Sequence, residues 1–265
     1  MTPDQSISLL VVAIVSFGMA CGFFWADWRT STSRALVLTL TMISLTLVAA
    51  FVGLREPSKL VGGLFLSLQA LSLMTGIQWG ERVAATRKTD TVSLWTSKRV
   101  LRVAQGLALF SALIGPFLPF AHSQEFTMRP LPDLSSLPYI LYVTPMFVAF
   151  VLMQIATLVV ARSKIDQSER IRMAAGWVAL PILFAALFVA PEYTAVLMAT
   201  GLMVFLAGAI KYHVTQGERG QFMERFLSPD VAAKVGRHGM RDLFEMKRYE
   251  MSVLFFDLSG FTIYS

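Results

Sequence analysis

Long apolar stretches, each with the length of a membrane-crossing helix, recur from the N-terminus to residue 210. A bilayer's hydrocarbon core is about 30 Å thick, and a helix needs about 20 apolar residues to cross it. In lipid, a helical backbone satisfies its own hydrogen bonds. The sequence therefore predicts an all-α polytopic membrane bundle. We predict seven spans, at residues 7–25, 35–54, 60–79, 103–121, 137–161, 173–190 and 194–210.

The composition also points to the membrane. Hydrophobic residues make up 55% of the chain and charged residues 15%, whereas soluble domains carry about 25% charged residues. The sequence contains one cysteine, Cys21, so an internal disulfide is excluded. Gly18 and Gly22 stand four residues apart in the first stretch, a spacing that permits close helix approach within one subunit or between two. The same spacing is also ordinary in membrane helices.

The count of seven depends on the last two stretches. They are separated only by Pro191, Glu192 and Tyr193, and proline beside a charged residue is typical of a turn. Six spans are the alternative, with the first stretch discounted, and this count would place both chain ends on one side. The first stretch does not resemble a cleavable signal peptide, because residues 1–7 carry Asp4 and no positive side chain.

Loop charges predict the orientation. Twelve Lys and Arg residues follow the first, third and fifth spans, Arg170 and Arg172 among them, and three lie in the alternate loops. Positive loops stay in the cytoplasm, so the N-terminus is expected outside and the C-terminus in the cytosol of an inner or plasma membrane. The net charge of +6 then reflects orientation and contact with anionic lipid, and we expect no nucleic-acid partner.

The predicted spans contain no Asp, Glu, Lys, Arg or His. Ionisable groups at that depth usually mark an ion or proton path, so a proton-coupled transporter is disfavoured. Lys211 falls at the end of the seventh span, which leaves a retinal Schiff base without an attachment point inside the membrane.

Beyond residue 210 the chain becomes polar. Apolar residues recur there at helical spacing, which predicts that the seventh span continues as an amphipathic cytoplasmic helix; they are Phe222, Met223, Phe226 and Leu227. Gly217 and Gly220 weaken this helix. Ser228, Pro229 and Asp230 predict the start of a second helix, with serine as N-cap and proline at the first helical position.

Near the end of the sequence, residues 251–256 form a short apolar run of strand-forming residues that Asp257 closes. Ser259, Gly260 and Thr262 follow in a predicted turn, where backbone N–H groups can approach a ligand closely. A carboxylate at the end of a strand, followed by a glycine turn, suits a site for magnesium and a polyphosphate.

This segment resembles the opening strand of the class III nucleotide cyclases, the adenylyl and guanylyl cyclases. The matching residues are Val253, Leu254, Phe255, Asp257, Gly260, Phe261 and Thr262. Residues 225–232, Arg-Phe-Leu-Ser-Pro-Asp-Val-Ala, are similar to the transducer segment that precedes bacterial catalytic domains of this family.

The resemblance implies an α+β ferredoxin-like catalytic domain and a set of site residues. Asp257 would be the first of two carboxylates that bind two Mg²⁺ or Mn²⁺ ions, and the Leu258 carbonyl would be a further ligand. The triphosphate would contact Ser259, Gly260, Phe261 and Thr262. The complete enzyme would convert ATP to cyclic AMP and pyrophosphate as a homodimer for signal transduction, and GTP stays open as the substrate.

The resemblance divides the chain into three parts: a transmembrane anchor or sensor at 1–210, a juxtamembrane transducer at 211–249, and the start of the cyclase domain at 250–265. Most of the family's catalytic residues would follow Ser265, so this chain alone is expected to be inactive. A diguanylate cyclase is disfavoured, because the second carboxylate and the lysine of its motif are absent after Asp257. The remaining alternative is a membrane receptor or sensor without activity of its own, which binds an unidentified lipid-soluble ligand.

Overall fold

The computed structural model describes residues 3–55, 58–85, 92–118, 137–161, 167–186, 189 and 191–226. Seven α-helices occur in these ranges: α1 (Pro3–Asp27), α2 (Ser31–Arg55), α3 (Lys59–Ala85), α4 (Val92–Ile114), α5 (Leu137–Ala161), α6 (Gln167–Ala185) and α7 (Pro191–Phe226). The short 3₁₀ turn Gly115–Phe117 follows α4. The predicted all-α architecture is confirmed for these ranges, which contain no strand. The strand predicted at 251–256 lies outside them and stays unsupported.

Six of these helices are long and apolar enough to cross a membrane: α1, α2, α3, α4, α5 and α7. The described part of α6 is not among them; its first turns carry Glu169, Arg170 and Arg172. The count of seven spans is therefore not supported. The six-span alternative discounted the wrong segment, because α1 meets the criteria. The predicted turn at Pro191, Glu192 and Tyr193 is also wrong, since these residues begin α7.

Reciprocal hydrogen bonds join α1 to α2. Ser16 Oγ donates to the Leu40 carbonyl, and Ser44 Oγ donates to the Ala13 carbonyl, both at 2.9 Å. The Asp27 carboxylate accepts from Thr30 Oγ1 at 2.6 Å in the connection between the helices. The two helices are antiparallel, and they bury their serine hydroxyls against each other's backbone.

Close approach at small residues joins α3 to the end of α4. Cβ atoms placed on Gly63 and Gly115 would lie 3.2 Å from Pro116 and 3.0 Å from Leu66, respectively. On the neighbouring helix α5, the Tyr142 hydroxyl donates to the Leu66 carbonyl at 2.7 Å. The helices α3, α4 and α5 thus pack around one apolar cluster.

Glycines also bring α6 against its neighbours. A Cβ on Gly201 of α7 would lie 2.7 Å from Leu183, and one on Gly176 of α6 would lie 2.9 Å from Trp79 of α3. Gly208 of α7 faces Ala175 with even less room. These contacts make α6 and α7 antiparallel, although α6 fails the criteria for a membrane span.

The first and last helices run in the same direction. Phe23, near the C-terminal end of α1, contacts Phe205 and His213 in α7 at ring-centroid distances of 6.4 and 5.9 Å. Earlier in α7, Gly201 packs on Leu183, which lies near the C-terminal end of α6. The N-terminal part of α7 is therefore remote from Phe23. The start of α1 therefore lies at the opposite end of the bundle from Tyr212.

By its contacts, the chain divides into one unit over Met1–Gln216 and a second over Gly217–Ser265. The helix α7 is continuous from Pro191 to Phe226, so it passes Gly217 and Gly220 without a break. The predicted continuation of the last apolar stretch into a polar helix is confirmed as far as Phe226. The helix start predicted at Ser228 lies outside the described residues.

Candidate functional site

The residues predicted to bind metal and nucleotide all lie outside the described part of the chain: Asp257, Leu258, Ser259, Gly260, Phe261 and Thr262. Within the described part, no group of three or more His, Cys, Asp or Glu residues could hold a metal ion.

A buried ion pair lies at the start of α6. Arg172 Nη2 donates to both carboxylate oxygens of Glu169, at 2.9 and 2.7 Å. Arg172 is fully buried and Glu169 is 8% exposed. Burial of a charge is costly unless it is paired, so each of these side chains makes the other tolerable at this position. Thr32 Oγ1 of α2 approaches Glu169 Oε1 at 3.5 Å.

Aromatic rings of two helices, α3 and α7, pack against this ion pair. The Arg172 guanidinium carbon lies 4.4 Å from the Tyr212 ring centroid and 6.0 Å from that of Trp79. Trp79 in turn meets Phe205 edge-on at 5.8 Å. We call the set Trp79, Glu169, Arg172, Phe205, Tyr212 and His213 the arginine cluster; it joins α3, α6 and α7 at one end of the bundle.

The arginine cluster contains several buried nitrogen atoms that have no hydrogen-bond partner among the described residues. They are Trp79 Nε1, Arg172 Nε, Arg172 Nη1 and His213 Nε2. An unsatisfied buried polar group costs about 1–3 kcal/mol. The Arg172 guanidinium therefore makes hydrogen bonds through one nitrogen, Nη2, and otherwise packs on aromatic rings. The unsatisfied nitrogens of the cluster destabilise the folded bundle.

A second polar feature is a cavity of about 60 Å³ between α2, α3, α5, α6 and α7. Its polar lining comes from Thr39, Gln69 and Ser72, and apolar side chains such as Phe150 and Met198 complete the wall. The Tyr142 hydroxyl, which is fully buried, also lies 3.1 Å from Gln69 Oε1. Gln69 thus lies beside the Tyr142 hydroxyl at the wall of a mainly apolar cavity.

The chain matches no family model, no curated protein and no solved structure.

Sequence reasoning missed both polar features. The loop-charge prediction places Arg172 in a cytoplasmic loop, whereas the structure buries this residue in α6. The spacing of Glu169 and Arg172, three residues apart, was the available signal, since side chains at that spacing meet on a helix. No comparable signal marks Gln69, because its partner Tyr142 lies on another helix, 73 residues later in the sequence.

Proposed function

We propose that this chain is the membrane anchor and transducer of a class III nucleotide cyclase that converts ATP to cyclic AMP and pyrophosphate. The observation that carries the proposal is the string of seven matching residues between Val253 and Thr262. The transducer-like segment at 225–232 supports it independently.

The bundle supports a membrane location. Six helices are long and apolar enough to cross a bilayer, and large apolar side chains stand exposed on outer faces, among them Ile14, Leu64, Leu113 and Val196. Exposed apolar surface of this extent is unusual in soluble proteins. Because α6 is antiparallel to α7 and α1 and α7 run in the same direction, the two chain ends lie on opposite sides of the bundle although α6 is not among the six helices. With the loop charges, we propose that the N-terminus faces outward and the C-terminus faces the cytosol, where nucleotide triphosphates are.

The helix α7 supports a transducer role. It runs without interruption from the bundle through the polar residues up to Phe226. Arg172 of the arginine cluster packs on the ring of Tyr212 in this helix. A helix that belongs both to the apolar bundle and to the polar segment is suited to connect an anchor with a catalytic domain.

The donor set at the proposed site fits a hard cation. Asp257 supplies a carboxylate and Leu258 a backbone carbonyl, and Mg²⁺ and Mn²⁺ prefer such oxygen ligands. The bound ions would polarise the ribose hydroxyl and the α-phosphate for in-line attack. In this proposal Asp257 and Leu258 hold the ions, while Ser259, Gly260, Phe261 and Thr262 position the triphosphate. We further propose that two copies of the chain form a homodimer.

The test is the substitution Asp257→Asn in the full-length gene product, with Asp242→Asn as the matched control. Membranes that contain each variant are assayed for cyclic AMP from ATP and cyclic GMP from GTP, with Mg²⁺ or Mn²⁺ and after chelation. We expect Asp257→Asn to abolish product formation and Asp242→Asn to retain it, at equal protein levels. Full activity of the Asp257→Asn protein would overturn the proposal.

A membrane sensor without catalytic activity is the second candidate. It is favoured by the buried pair Glu169–Arg172, which leaves two guanidinium nitrogens without a partner among the described residues, because a native structure rarely leaves buried polar groups unsatisfied without a functional reason. This candidate predicts that no cyclic nucleotide forms even in the unmodified full-length protein. The same assay therefore separates the two functions.

A further inference from the structure

We infer that the end of the bundle at which α1 connects to α2 binds the headgroup of an anionic phospholipid, and that Arg29 and Arg34 are the residues that recognise its phosphate. The inference concerns the helical bundle alone, and its test measures lipid binding. It can therefore succeed or fail independently of the cyclase proposal.

Both arginines are available for a ligand. Arg29 lies in the connection between the helices, and Arg34 lies in the first turn of α2, where its backbone N–H donates to the Thr30 carbonyl at 3.2 Å. Both residues are exposed, and neither makes an ion pair with another described residue. Guanidinium groups bind phosphate oxygens through paired N–H donors, so this end of the bundle offers two unpaired phosphate-binding groups.

The acidic side chains beside the two arginines are engaged by the protein itself. The Asp27 carboxylate accepts from Thr30 Oγ1 at 2.6 Å and from Ser33 Oγ at 3.4 Å. Glu169 is paired with the buried Arg172 at 2.7 Å. Neither carboxylate pairs with an exposed arginine, so the outer surface of this end stays positive.

Two further basic residues extend the positive surface. Arg170 follows Glu169 directly, and Glu169 Oε1 lies 3.5 Å from Thr32 Oγ1, so the start of α6 lies beside the start of α2. Lys211 precedes Tyr212, whose ring packs on the buried arginine of α6. Arg170 and Lys211 are both exposed, and basic residues close to a membrane surface attract anionic lipid.

Other basic residues that the sequence assigns to cytoplasmic loops are already engaged. Arg172 is fully buried in its ion pair, and Arg102 Nε lies 3.5 Å from Glu81 Oε1. The loop charges are therefore not equivalent, and the structure favours the α1–α2 end over these positions.

Two tryptophans place this end at the level of lipid headgroups. Trp25 is 86% exposed and Trp28 is 50% exposed, and Trp28 packs on Phe24 with ring centroids 4.3 Å apart. Exposed tryptophan is typical of the membrane–water interface, where one end of the ring is apolar and the other is wet. Because Arg29 follows these rings within four residues, its expected partner is a membrane lipid and not a soluble phosphate.

The first experiment uses the tryptophan fluorescence of the unmodified chain in detergent micelles. Phosphatidylglycerol with brominated acyl chains is the probe, and phosphatidylcholine with the same chains is the comparison without net charge. Bromine quenches tryptophan on contact, so Trp25 and Trp28 report a lipid bound beside them. We expect phosphatidylglycerol to bind about 25-fold more tightly, since each of two arginines contributes about fivefold, and salt should weaken this preference.

Two double variants localise the binding. Arg29→Gln with Arg34→Gln should abolish the preference for phosphatidylglycerol. Arg55→Gln with Lys59→Gln is the matched control, because it removes the same charge from the opposite end of α2, about 30 Å away along the helix; it should leave the preference unchanged. All four residues are exposed, so the folded bundle should tolerate both changes.

Three results would overturn the inference. They are equal quenching by the two lipids in the unmodified chain, a loss of preference in the control as large as in the arginine variant, and release of the lipid by sodium phosphate beyond that by sodium chloride of equal ionic strength. The last result would show a site for free phosphate. The lipid comparison and the phosphate competition use the unmodified chain, so they decide the matter even if a variant fails to fold.

Discussion

The buried ion pair of the arginine cluster allows a quantitative prediction. Glu169→Gln removes the carboxylate that pairs with a fully buried guanidinium. Arg172 Nε and Nη1 already have no partner in the described part of the chain. After the substitution, the buried positive charge of Arg172 would therefore lack a neighbouring carboxylate to neutralise it. Breaking a buried ion pair by removing one partner costs about 3–5 kcal/mol. Because glutamine keeps one acceptor oxygen, we expect a loss of about 3 kcal/mol in unfolding free energy.

A double-mutant cycle isolates the pair. Glu169→Gln, Arg172→Met and the double variant are unfolded with SDS in mixed micelles, and helix content is followed by circular dichroism. The double variant leaves no buried charge, and apolar replacements of buried pairs are often neutral. We expect its stability to lie within about 1 kcal/mol of the unmodified chain.

The matched control is Glu81→Gln. Glu81 pairs with Arg102 at 3.5 Å, and the side chain of Arg102 is 72% exposed. Exposed pairs contribute about 0–1 kcal/mol, so this variant should change little. The reasoning is refuted if Glu169→Gln costs no more than Glu81→Gln, or if the double variant is as unstable as the sum of its single changes.

Two further predictions concern glycines that face different surroundings. Gly208→Ala should destabilise the bundle by about 1–3 kcal/mol, because its Cβ would overlap Ala175, whereas Gly18→Ala should be neutral in the same SDS titration, because its Cβ would meet nothing within 4 Å. Cys21, which is exposed, should form a cross-linked dimer on mild oxidation in membranes if α1 mediates the proposed homodimer. Gly22→Leu should suppress that product without loss of folding, since a Cβ there also meets open space; an undiminished cross-link would exclude this face.

The sequence predicted the apolar middle of the bundle well and its polar ends poorly. The fifth stretch was placed at 137–161, and α5 is Leu137–Ala161. Hydropathy predicts the fourth from residue 103, yet α4 begins at Val92, because the charges at 98–102 favour a loop in such a prediction. Leu101 and Ala104 in that region are fully buried. Hydropathy describes the transfer of a segment into lipid. It does not predict charged helical turns that become buried by packing against other helices.

The polar contacts were beyond such reasoning for a related physical reason. Arg172 is tolerated in the interior because Glu169 and the face of Tyr212 surround it, and Tyr212 lies on a different helix. Gln69 meets Tyr142 through the packing of α3 on α5. The faces through which two helices meet are determined only when the bundle assembles. The order of residues along the chain therefore does not show these contacts. The proposed nucleotide site stays a prediction, since Asp257 lies outside the described residues.

The reciprocal serine bonds between α1 and α2 bear on the biosynthesis of the protein. Ser16 and Ser44 reach backbone carbonyls of the partner helix, and Asp27 holds the short connection through Thr30. The first 55 residues can thus satisfy these hydroxyls before any later segment leaves the ribosome. A hairpin of this kind can enter the bilayer as a finished pair, onto which the helices synthesised afterwards assemble.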